Sequence, residues 1–69
     1  MNPVVENLRR QAADHARRAA RMWAQAWHQA ASADQRFSTV LFALVLNRRA
    51  IDECDKAINT LRFVERLEQ

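Results

Sequence analysis

The sequence predicts an all-α protein: an antiparallel two-helix hairpin that dimerises into a four-helix bundle. Three observations carry that expectation. The chain has no glycine and a single proline, Pro3, so it is poor in the residues that make tight turns. Alanine, arginine, leucine and glutamine dominate it, and all four favour helix. Its 69 residues form one domain at most and are too few to bury a large core alone.

A chain this short needs disulfides, a metal or a second copy of itself. Cys54 is the only cysteine, which rules out an internal disulfide and fits a reducing compartment. The candidate metal ligands are His15, His28, Cys54 and scattered carboxylates, without ligand spacing, so neither metal nor cofactor is expected. Self-association remains.

The first helix is expected over about 3–31. Asn2 followed by Pro3 reads as an N-cap and a first helical position. Apolar or small residues then recur at Val5, Leu8, Ala12, Ala16, Ala19, Trp23, Ala26 and Ala30, in the steps of three and four that mark one helix face. A turn is expected at about 32–34. There, Ser32-Ala33-Asp34-Gln35 has the capping-box pattern, a serine with glutamine three residues on.

The second helix is expected over about 35–66. Its apolar stripe is Phe37, Val40, Leu44, Ile51, Cys54, Ile58 and Leu61, close to heptad spacing. Asn47 is a polar interruption of the stripe, and a break near Asn47-Arg48-Arg49 is an alternative to one continuous helix. So short a turn makes the helices antiparallel neighbours. Folding there brings Trp23 towards Leu41 and Leu44. It also sets the small residues Ala12, Ala16 and Ala19 against bulky Ile51 and its neighbours, an arrangement of large against small. The expected core and dimer residues are Trp23, Phe37, Val40, Leu41, Leu44, Ile51, Ile58 and Leu61.

The run from Phe37 to Leu46 is apolar around more than one face. A single partner helix cannot cover it all, so Phe42, Val45 and Leu46 are expected to point elsewhere. A second protomer or a foreign protein would have to bury them. Charge is also uneven. The first helix carries five arginines against Glu6 and Asp14, and so holds the whole net charge of +3, because the rest of the chain balances. Arg10, Arg17 and Arg21 fall on one face, with His28 extending the line. That stripe suits phosphates or an acidic protein surface. It also reads as a solvated face with helix pairs such as Glu6–Arg10 and Asp14–Arg18. Arg48–Asp52, Arg49–Glu53 and Asp52–Lys56 have the same spacing.

No catalytic constellation stands out. Cys54 approaches His15 in this register, but no third group orients the pair, and two packed helices offer no pocket. Cys54 reads as a small buried hydrophobe. The chain is not expected to be an enzyme. The longest unbroken apolar run, Val40 to Leu46, is far short of the roughly 20 residues that span a bilayer. Glu6, Arg9 and Arg10 interrupt any apolar N-terminal stretch, so a cytoplasmic protein without a signal peptide is expected.

Asn2-Pro3 opening a long Ala/Arg helix, Ser32-Ala33-Asp34-Gln35 at the turn and the apolar run Val40 to Leu46 together resemble small early proteins of phages that infect high-GC bacteria. In length and build the chain is similar to the phage-encoded quorum-sensing anti-activators of Pseudomonas phages. The resemblance implies a dimeric hairpin that binds a LuxR-type transcription activator of the host and keeps it off DNA. It also implies a second target, the ATPase that drives type IV pilus assembly. Read from the surface, the candidate partner-binding residues are Arg10, Arg17, Arg21, Trp27, Phe42 and Leu46. Two other functions stay open: a nucleic-acid-binding hairpin dimer that uses the arginine stripe, and a purely structural oligomer.

Overall fold

The computed structural model describes residues 2–31 and 36–69. These form two α-helices, α1 (Pro3–Ala30) and α2 (Phe37–Glu68), packed side by side. Contacts run in descending order along α2, from Arg9–Glu68 through His15–Glu53 to Trp23–Asn47, so the pair is antiparallel. The molecule measures 51 × 14 × 11 Å. That is about the length of one 32-residue helix at 1.5 Å per residue. No helix among the described residues is long and apolar enough to cross a membrane.

The start of α1 follows from its first residues. Asn2 is the N-cap, and its side chain accepts a hydrogen bond from the Val4 amide at 3.0 Å. Pro3 takes the first helical position, where its missing N–H costs nothing. The expected turn at 32–34 and the Ser32–Gln35 capping box lie outside the described residues. α2 begins slightly later than expected: Arg36 occupies the N-cap with an extended backbone and no side-chain cap bond. It then runs unbroken through Asn47 to Glu68, so the alternative of a break there is excluded.

The helices meet through small residues. Val5, Ala12, Ala19 and Ala26 are buried on α1, and Leu46, Ala50, Ala57 and Val64 on α2. Seven residues separate successive members of the α1 set, and the same step links Ala50, Ala57 and Val64. This repeat keeps one seam facing the partner over the whole length. Between these layers lie Leu8, His15 and Met22 on α1 and Leu46, Glu53 and Thr60 on α2, while partly buried Ala43 continues the Ala50 step. The His15–Glu53 contact and the heptad step set Ala12 level with Ala57, Ala19 with Ala50 and Val5 with Val64.

This corrects the expected packing. Alanine faces alanine, and Ile51 is not set against the small residues of α1 but is exposed, as are Val40, Leu41, Ile58 and Leu61. Phe37 is 81% and Leu44 60% exposed. The large stripe of α2 is therefore not the hairpin's own core; it lies one residue round from the seam, with Leu44, Ile51 and Ile58 following Ala43, Ala50 and Ala57. Alanine at the contact lets helices approach to the short end of the 8–10 Å range, where backbones pack directly. Leu46 is a second correction: it is 6% exposed, locked in the seam and closed to any partner. Trp23, expected in the core, is half-buried at its edge.

Candidate functional site

The seam divides the surface of the hairpin into two flanks. On one, α1 presents Ala13, Ala16, Ala20, Trp23, Trp27 and Ala30 by helical spacing. α2 adds Phe37, Val40, Leu44, Asn47, Ile51, Cys54, Ile58 and Leu61. Between Ala13 and Ala30, and between Phe37 and Leu61, this flank carries no charged residue. Its end nearest the turn is aromatic. A shallow cleft there is lined by Trp23, Trp27, Ala30, Ala43, Leu44 and Asn47. Trp27 is 76% exposed. Nε1–H of Trp23 donates to Oδ1 of Asn47 at 2.9 Å. This bond accounts for the polar interruption: Asn47 fixes the Trp23 ring at the edge of the seam.

The other flank is mixed. α1 presents Asp14, Arg18, Arg21, Gln25 and His28, and α2 presents Phe42, Val45, Arg49, Asp52 and Lys56. Phe42 sits beside Ala24, Gln25 and His28. Arg10 and Arg17 lie on the outer face of α1, between the flanks. The six expected partner residues are therefore not brought together. Arg21 and Phe42 share a flank, Trp27 is on the opposite one, and Leu46 is buried. The alanine contribution of α1 to the uncharged flank was missed, although the seven-residue repeat of Val5, Ala12, Ala19 and Ala26 would have located the seam and hence both flanks.

Of the five expected helix pairs, only Arg48–Asp52 forms among the described residues; Glu6–Arg10, Asp14–Arg18, Arg49–Glu53 and Asp52–Lys56 do not. Arg48–Asp52 is present at 3.9 Å, and Arg17 pairs with Asp14 at 2.7 Å. Arg18 turns away from Asp14 and reaches Glu53 across the seam at 3.4 Å. Arg10 and Arg21 make no ion pair among the described residues.

Glu53 is the hub of the seam's polar layer. The side chains of Glu53 and His15 are 15% and 22% exposed, and Nδ1 of His15 lies 2.5 Å from Oε2 of Glu53. A carboxylate only accepts, so that nitrogen carries a hydrogen and donates. Nη2 of Arg18 lies 2.8 Å from the same nitrogen. Two donors cannot bond each other, so Arg18 serves Glu53 through Nε instead. Lys56 completes the set at 3.5 Å. The His15 hydrogen bond, foremost, holds the Glu53 carboxyl down at about 2; partial burial works against it, while Arg18 and Lys56 add to the lowering.

A carboxyl held below its ordinary value stabilises the fold above its unfolded value of about 4.5, and that stabilisation is lost as pH falls towards 2. Glu53→Gln should therefore melt lower than the parent at pH 7, with the gap closing between about pH 4.5 and 2. Thermal melts followed by circular dichroism across that range check this. A gap that stays constant with pH would remove the charge from the account.

Cys54 is partly buried, next in sequence to the residue that takes the Nδ1 hydrogen of His15. Among the described residues no group of His, Cys, Asp or Glu is arranged to hold a metal ion.

Comparison with known protein families, curated proteins and solved structures finds no match.

Proposed function

We propose that this chain is a non-enzymatic, cofactor-free regulator that works by binding another protein as a self-associated helical hairpin. The observation that carries the reading is the uncharged flank. The accessible surface is 5458 Å². A folded monomer of 8.0 kDa exposes about 4,450 Å². The excess of about 1,000 Å² is close to the ~800 Å² that each partner contributes to a standard interface. The alanine seam supports the same reading, because burying alanine stabilises a fold far less than burying leucine or phenylalanine.

Closing the uncharged flank against a second copy would cover Trp27, Phe37, Leu44, Ile51 and Ile58. Arg10, Arg17, Arg21 and Phe42 would stay outside it, available to a further protein. In this reading Trp27 belongs to the self-association face rather than to the foreign partner. The resemblance to phage anti-activators supplies the partner class: a LuxR-type transcription activator in the host cytoplasm, with the type IV pilus assembly ATPase as a second target. Such binding would hold the activator off DNA.

The test is a gel shift with a purified LuxR-type activator on its operator. Added protein should abolish the shifted band, and Arg17→Glu with Arg21→Glu should weaken that inhibition tenfold or more while helicity and assembly stay unchanged. An activator that binds DNA normally at tenfold excess of the protein would overturn the proposed target. Inhibition equal in the arginine variant would return the stripe to solvated surface. Direct shifting of DNA by the protein alone, lost steeply with salt, would favour the nucleic-acid reading.

A further inference from the structure

The alanine seam has a property that large side chains would not give it: it does not define its own register. Sliding α1 by one heptad relative to α2 sets Ala12 level with Ala50, and Val5 level with Ala57. Sliding the other way sets Ala19 level with Ala57 and Ala26 level with Ala50. Every alanine or valine of this set that keeps a partner remains small against small, and the one large buried side chain, Leu46, lies in the alternate layer. The connection does not forbid the slide either. Five residues separate Ala31 from Phe37. Six virtual bonds of ~3.3 Å reach about 20 Å. A one-heptad slide of about 10.5 Å along the axis, across helices 8–10 Å apart, needs only about 14 Å.

Within the seam a slide changes the alternate layer, and at the exposed edges it breaks the Trp23–Asn47 and Arg9–Glu68 contacts. In one direction Glu53 moves from His15 to Leu8 and His15 faces Leu46; in the other, Glu53 faces Met22 and His15 faces Thr60. Either slide strips Glu53 of its partners across the seam, His15 and Arg18, and leaves a partly buried carboxylate beside an apolar side chain. We infer that the His15–Glu53 layer, with Arg18, is the register pin of the hairpin. A single polar layer in an otherwise permissive helix seam is a known way to fix register at some cost in stability. The consequence reaches the surface. The uncharged flank is composite, and a one-heptad slide would carry Trp23 and Trp27 about 10.5 Å away from Leu44 and Asn47.

Paired cysteines in a Cys54→Ser background test this. Ala12→Cys with Ala57→Cys reports the native register. Ala12→Cys with Ala50→Cys, and Ala19→Cys with Ala57→Cys, report the two slides. The readout is the intrachain disulfide formed under mild oxidant, seen as a non-reduced monomer lacking two hydrogens. In the otherwise unchanged chain only the native pair should close; closure of a slide pair there would overturn the pin. With His15→Leu and Glu53→Leu added, a slide pair should close to at least a tenth of the native yield. Closure of the native pair alone would show that the pin is not needed. Should the double leucine variant lose its helicity, the exchanged variant, His15→Glu with Glu53→His, decides. It should close only the native pair, and closure of a slide pair would overturn the proposal.

Discussion

Ala50→Leu is expected to lower the melting temperature by 10 °C or more. Ala50 is fully buried, level with Ala19 on the facing helix, and there is no room for three further carbons where two backbones approach across alanine. Overpacking of this kind costs typically 1–3 kcal/mol. A chain of 69 residues has a total stability of only about 3–10 kcal/mol. In a domain this small each kcal/mol moves the midpoint by roughly 4–8 °C. The control is Ile51→Leu, one residue on, where the side chain is exposed in the hairpin and its volume is conserved. Both variants should be melted at the same protein concentration as the parent, since assembly makes the midpoint concentration-dependent. If Ala50→Leu melts within two degrees or so of the parent, the close alanine contact is not what holds the helices together.

Leu44→Asp is expected to abolish self-association. Leu44 stands near the aromatic end of the uncharged flank, beside Trp27 and Asn47. A carboxylate buried there finds no cation on the flank to pair with, and an unpaired buried charge costs several kcal/mol. At 1.4 kcal/mol per factor of ten, the dissociation constant should rise at least ~100-fold. Sedimentation equilibrium across a concentration series reads this directly. Val45→Asp is the matched control: the next residue along, similarly exposed, but on the mixed flank. It should leave assembly intact. Loss of assembly in both variants would mean that the two flanks are not distinct; loss in neither would dispose of the uncharged flank as an interface.

Much of the architecture was legible in the residues. The absence of glycine, the Asn2-Pro3 start and the heptad stripe of α2 point to two helices, and two helices are what form. The face on which they meet was not legible, for a physical reason. α1 carries alanine at 12, 13, 16, 19, 20, 24, 26 and 30, so nearly every face of it is small, and the large residues of α2 drew the pairing towards themselves. The helices chose closeness instead. Leu46 was misplaced for the same reason: once Ala50 and Ala57 define the seam, Leu46 falls on it and Leu44 does not. The partner of Asn47 was equally hidden, since a hydrogen bond from Trp23 depends on register rather than on local sequence. Glu53 shows the limit of spacing rules. Arg49 is in place four residues before it, yet its carboxylate is drawn across the seam to His15 and Arg18.

The two tryptophans differ in their contact with water, and indole emission follows that contact. Trp27 stands bare to solvent on the flank, whereas Trp23 is half-covered and tethered through its ring nitrogen to α2. A shift of Trp27 emission to shorter wavelength reports the meeting of two hairpins, and a shift of Trp23 to longer wavelength reports the opening of one. With either indole replaced by phenylalanine, the chain carries a built-in, label-free optical gauge that separates assembly from unfolding.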